Sequence, residues 1–104
     1  MRLKLDRQPG GTDTAPNTTA PTQFIVTTSE TEVMSAFVAA IGGTSVSIRP
    51  WAFSETLDQW MALSAAVVCN ADTLTSLSDL PRSTKVFFQV TAIDGVTRFG
   101  VGVM

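Results

Sequence analysis

From Phe24 onward the chain alternates apolar and polar positions in short runs divided by turn-forming residues. Phe24-Ile25-Val26-Thr27-Thr28 is short and β-branched, a composition that fits a pleated strand. Ser45 to Phe53 sets Val46, Ile48 and Ala52 on one side and Ser45, Ser47 and Arg49 on the other, the period-two signature of a half-buried strand. Thr84 to Ile93 groups Val86, Phe88, Val90 and Ala92 against Lys85, Gln89 and Thr91. Thr97 to Val103 then puts Phe99, Val101 and Val103 on one face, and Asp94-Gly95 between the two runs is a two-residue hairpin signal. Val33 to Ile41 and Trp60 to Val68 are apolar at most positions. The spacing of turns suits a sandwich or barrel and not βαβ units. The pattern predicts an all-β fold: one small antiparallel β-sandwich of roughly six or seven strands, jelly-roll or immunoglobulin-like. Its expected core is Val46, Ile48, Val86, Phe88, Val90 and Val101.

Two segments complicate this reading. Ser29-Glu30-Thr31-Glu32 matches the S-x-x-E capping box ahead of an apolar run that stops at Gly42, and as a helix Val33, Phe37 and Ile41 would share a face. As a strand, the same run places Val33 and Phe37 on one side and Met34 and Val38 on the other. The strand is preferred, because Met34 and Val38 make the second side apolar and Gly42-Gly43-Thr44 leads directly into the next strand. A strand apolar on both faces is central and covered, or buried by another subunit. Pro50 lacks an N–H, so its strand is expected at an edge or kinked by a bulge, with Trp51 and Phe53 out of register with Ser47 and Arg49.

Composition divides the chain near residue 23. Gln8 to Gln23 holds three prolines, two glycines and no apolar residue larger than Ala. Such a stretch cannot bury enough surface to offset its ordering entropy and favours extended chain. Residues 1–23 therefore read as an extended N-terminal arm and 24–104 as the sandwich. At the arm's tip Leu3 and Leu5 alternate with Lys4, which suits strand addition to a neighbour, and Arg2, Lys4 and Arg7 add positive charge.

Charge and chemistry narrow the function classes. The chain has 104 residues, a net charge of −2, no His and one Cys. Without His there is no Ser-His or Cys-His nucleophile pair and no His-ligated metal. With one Cys there is neither an intrachain disulfide nor a CxxC site. No enzyme, cofactor or metal site is expected. The acidic balance argues against nucleic acid, and the longest apolar run, Ala36 to Ile41, is far short of the ~20 residues of a membrane helix. No secretion signal opens the sequence, so synthesis in a cytoplasm is expected. Glu55 and Asp58 lack the spacing of a calcium loop and read as turn charges, as do Glu30 and Glu32. Cys69 follows two valines and reads as a buried small hydrophobe. The sequon Asn17-Thr18-Thr19 reads as idle. Gly100 and Gly102 alternate with Phe99, Val101 and Val103, a spacing that lets a backbone or aromatic ring approach the last strand. Trp51, Phe53 and Trp60 flank the turn at 54–58, where hairpin pairing would bring the tryptophans together. They would be core, subunit interface or a sugar-stacking face.

Three passages carry a family resemblance: GGTSVSIRPWAF at 42–53, Trp60-Met61-Ala62-Leu63, and STKVFFQVTAIDGVTRFGVGV at 83–103. Together they resemble the small β-sandwich structural proteins of tailed-bacteriophage virions. The likeness covers about two-thirds of the chain and leaves the arm unmatched. It implies a non-enzymatic virion protein made in the host cytoplasm, of the head-decoration, fibre-base or adaptor type. It also implies partners in the major capsid or another virion protein, and a homo-oligomer with a trimer favoured. Arg2, Leu3, Lys4, Leu5 and Arg7 on the arm, with Trp51, Phe53 and Trp60 on the sandwich, are the expected interaction residues. The alternative is a glycan- or receptor-binding module centred on the two tryptophans.

Overall fold

A computed structural model describes the backbone of residues 3–7 and 25–103, and side chains from 27 to 103 except Ser78. Every element among these residues is a strand. In chain order they are β1 (Leu3–Arg7), β2 (Ile25–Thr27), β3 (Met34–Ile41), β4 (Ser45–Ser54), β5 (Gln59–Ala62), β6 (Val67–Asn70), β7 (Leu74–Leu80), β8 (Lys85–Asp94) and β9 (Arg98–Val103). A front sheet runs β1-β9-β3-β7 and a back sheet β2-β8-β4-β5, with β6 also paired to β4. Every pairing between strands is antiparallel.

The connectivity has a simple logic. β1 pairs with β9, β2 with β8, β3 with β7, and β4 with β5 and β6. The chain is folded in half about the turn after β4, and the double strand is rolled up. The β3–β9 and β4–β8 ladders close the roll. This is a jelly roll, the first of the two expected topologies, with one strand position split into β5 and β6.

The split and two further strands, β1 and β7, account for nine strands instead of six or seven. Trp60 to Val68 is not one run, because the chain bends at 63–66 between β5 and β6. β7 is hidden in the sequence because Leu77 and Leu80, three apart, are both buried. A bulge explains the spacing, since the register steps from Ser35↔Asp79 to Phe37↔Ser76 and two residues of β7 then oppose one of β3. β1 was read as arm. Its register runs from Leu3↔Val103 to Arg7↔Phe99 on this chain's own β9, so the tip of the arm forms a strand of the front sheet. The connecting residues 8–24 and Arg2 lie outside the described residues.

The core follows the alternation. Val46, Ile48, Val86, Phe88 and Val90 are wholly buried and Val101 is 1% exposed. Met34, Ala36, Val38 and Ala40 fill it from β3, while Ser35, Phe37, Ala39 and Ile41 face outward. The capping-box signature still forms its local bonds: Ser29 Oγ accepts from the backbone N–H of Thr31 and of Glu32, both at 3.2 Å. A strand follows them, because β3 finds partners on both sides.

Three expectations are corrected. Ala92 does not share a face with Val86, Phe88 and Val90. The register steps from Ile48↔Val90 to Ser47↔Ala92, so Thr91 is the extra residue and Ala92 turns outward. Pro50 lies in a central strand, and burial alternates without a break from Val46 to Ala52. Its carbonyl accepts from Leu63 N–H at 2.9 Å, so its missing donor also points between β5 and β6, where no ladder bond is due. Asp94-Gly95 turns the chain, but β8 and β9 lie in different sheets and do not pair. The crossing 95–97 lies against the other crossing, 42–44. Thr44 N–H donates to Asp94 O at 2.8 Å and Thr97 N–H to Ile41 O at 2.9 Å. Gly43 and Gly95 have φ of 67° and 73°, and a Cβ on Gly43 would collide with the Gly95 carbonyl.

Phe88→Ala is expected to cost about 3–5 kcal/mol, a large share of a small domain's stability, as read from urea unfolding. A midpoint matching the parent's would place Phe88 outside the core.

Candidate functional site

Two outer faces carry the residues of interest. On the back sheet, β4 presents Ser47, Arg49, Trp51 and Phe53, and β8 places Gln89 and Phe87 opposite Arg49 and Trp51. β5 places Trp60 opposite Phe53 and Ala62 opposite Trp51. The tryptophans are diagonal neighbours on one face, not a directly opposed pair. They lie outside the inter-sheet core, so the core-packing reading does not hold.

Ring geometry ties this face together. Phe53 and Trp60 meet edge to face at 5.5 Å between centroids, and Trp60 meets Phe87 likewise at 6.4 Å, the arrangement the aromatic quadrupole prefers. Trp60 is only 6% exposed and Phe87 2%. Trp51 is half-buried and already engaged. Its Nε1–H donates to Gln89 Oε1 at 2.8 Å, and the Arg49 guanidinium carbon stands 4.8 Å from the centroid of its ring. Arg49 is fixed in turn by Nε–H donating to Ser64 O at 3.0 Å. The cation and the amide cover the parts of Trp51 a sugar would use, one ring face and the indole N–H. Phe87, Arg49 and Gln89 were not singled out from the sequence. The available signal was parity, since Phe87 and Gln89 fall on the outward side of β8 with Lys85.

The front sheet's outer face is plainer. β3 contributes Ser35, Phe37, Ala39 and Ile41, β9 contributes Gly100 and Gly102, and β7 contributes Leu74 opposite Ala39. Phe37 lies over its cross-strand partner Gly102, where an added Cβ would strike the ring. Gly102 does what its spacing suggested and admits an aromatic ring. Ile41 is 55% exposed and Leu74 67%, with Val33 exposed just ahead of β3. Ser35 Oγ–H donates to Asp79 Oδ1 at 2.6 Å at the polar end of the strip. Leu3, Lys4, Leu5 and Arg7 are placed by register along the edge of this sheet, away from the tryptophans.

The remaining candidates stay apart. Glu55 and Asp58 are exposed in the turn between β4 and β5, and Glu30 and Glu32 in the loop before β3. Among the described residues no three acidic or Cys side chains group as a metal site would need, and every buried side-chain nitrogen or oxygen has a partner. A cleft of about 350 Å³ opens at one end of the sandwich beside Ala52, Met61 and Leu63. Its neighbour Thr84 is engaged, with Oγ1–H donating to Phe53 O at 2.8 Å. Compared with known proteins, the chain matches no family model, no curated protein and no solved structure.

Cys69 is 1% exposed. Burial pushes its thiol up to about 11 from 9.0, against a hydrogen bond with Thr75 that lowers it. Two consequences follow from that direction. At pH 8 the native thiol should react with a thiol reagent about a hundredfold more slowly than the urea-unfolded chain. Stability should fall as pH rises from about 9 to about 11, because the unfolded thiol loses its proton first. Cys69→Ala should remove that part of the alkaline loss in pH-dependent unfolding.

Proposed function

We propose that this chain is a non-enzymatic structural protein of a virion, of the head-decoration, fibre-base or adaptor type. It is held in place by protein contacts and works as a homo-oligomer docked on the major capsid or another virion protein. The observation that carries the reading is the apolar outer strip of the front sheet, Ala39, Ile41 and Leu74 beside the glycines of β9. Isolated apolar residues on a surface need no explanation, but apolar side chains adjoining on one sheet face mark an interaction surface. The three passages that resemble phage β-sandwich proteins point the same way. The jelly roll itself is an architecture of capsid and lectin domains alike, so it supports both readings only by analogy. Against the glycan-binding alternative stands Trp51, whose ring face and N–H are taken by Arg49 and Gln89.

Ile41→Asp with Leu74→Asp should leave a folded sandwich that melts within a few degrees of the parent, because both side chains face solvent. Incorporation into particles should fall at least about tenfold, since two desolvated carboxylates oppose any apolar contact. Parental occupancy in purified particles would remove the front face from the interface. Specific glycan-array binding lost in Trp51→Ala would favour the alternative.

A further inference from the structure

We propose that β1 is an exchangeable strand: the β9 edge that it covers accepts the β1 of a second copy of this chain in the same register. The argument starts from what β1 touches. Its one strand neighbour among the described residues is β9, in the register Leu3↔Val103 to Arg7↔Phe99. On its other side β9 is held by β3, from Ala36↔Val103 to Ile41↔Arg98. Removing β1 therefore leaves the roll closed. It does expose the edge of a strand whose Val101 and Val103 line the core at 1% and 0% exposure. Leu3 and Leu5 stand at the register positions of these valines, and Lys4 and Asp6 at those of Gly102 and Gly100. A bare β9 is thus an unpaired, apolar-backed edge, which recruits a strand. The sequence that fits it is LKLDR, which every copy carries.

The tether permits either destination. Residues 8–24 separate β1 from β2. A chain of that length reaches on the order of 55 Å when extended, more than the 39 Å longest dimension of the molecule. To close at home it must return from Arg7, beside Phe99 near the crossing-loop end of β9, to Ile25, beside Phe87 near the far end of β8. That is a descent of about 20 Å and a crossing of about 10 Å between sheets. The long tether closes at home with length to spare, and it reaches an adjacent copy as readily. The ladder register is the same in both arrangements, so concentration decides between them. A linker of this length sets an effective concentration in the millimolar range, and copies crowded side by side exceed it. Reciprocal exchange gives a closed dimer, and head-to-tail exchange gives a ring or a strand of copies. The proposal rests on the fold and not on the virion reading, and the purified chain tests it.

Two chains in a Cys69→Ala background, one with Asp6→Cys and one with Gly100→Cys, place their thiols at opposed positions of the β1–β9 ladder. Mixed unfolded and refolded at about 1 mM, they should yield a disulfide-linked heterodimer on a non-reducing gel that neither chain gives alone. The variant carrying both cysteines should link within one chain when dilute and between chains when concentrated. Closure within one chain at every concentration, with no heterodimer, would overturn the proposal. A second variant covers the case in which these cysteines disturb folding. Deleting residues 10–22 leaves a tether of about 17 Å, too short to close at home, so its native mass should become a multiple of the chain mass. A folded monomer at 1 mM would equally overturn the proposal. A protein that exchanges β1 yet joins no particle would leave this proposal standing and remove the virion function.

Discussion

The two ladders β3–β9 and β4–β8 carry the fold. Every other pairing belongs to the doubled chain and could form as that chain folds back about the turn after β4. These two alone bind one half of the doubled chain to the other. They hold because the inward sides of the four strands are almost wholly apolar, with Val38, Val46, Ile48, Val86, Phe88, Val90 and Val103 all at 0% exposure. Bringing such distant segments together is entropically costly until that surface is buried. Folding of this chain is therefore expected to be cooperative and slow for its size, as for other sheets made of non-local pairs. The edges, β1 and β2 on one side and β5, β6 and β7 on the other, attach to a centre that is already complete.

Much of that centre was legible because strand alternation is a local property. Val46, Ile48, Phe88 and Val101 were placed inside from period-two parity alone. Parity fails where a bulge slips it. Leu77 and Leu80 are both inside at a spacing that alternation forbids, which concealed β7, and Thr91 reverses Ala92 for the same reason. Sheet membership is not local at all. Asp94-Gly95 has the composition of a tight hairpin, and nothing within a few residues says that the strands on either side part company. Pro50 was misread because a proline inside a sheet is harmless when the partner edge is divided between two short strands. No inspection of residues 45–54 could reveal that division.

The candidate residues divide along the same line. Trp51 and Trp60 were expected to be neighbours and are, diagonally across β4 and β5, yet their partners Phe87 and Gln89 come from the β4–β8 pairing, which the sequence does not announce. The back face spends its aromatic and cationic groups on one another. The front face is plainer: Gly100, Gly102 and Ala39 lie beside Phe37 and the exposed Ile41 and Leu74. One is a self-contained outer layer and the other is open to company, and this asymmetry makes the front sheet the better candidate for docking.

The contact between Gly43 and Gly95 gives the molecule unequal ends. Both crossing loops, 42–44 and 95–97, are clamped backbone to backbone, and the β6–β7 connection joins them through Ala71 N–H to Thr44 O at 2.9 Å and Asp72 N–H to Ala40 O at 2.7 Å. Three connections of different sequence origin are knitted into one cap with no slack for an added residue. The β4–β5 turn at 55–58 is exposed at the opposite end, where Leu57 N–H donates to Ser54 Oγ at 3.3 Å within the turn itself. A grafted peptide is accommodated more readily at this exposed tip of the folded chain than in the clamped cap at the other end.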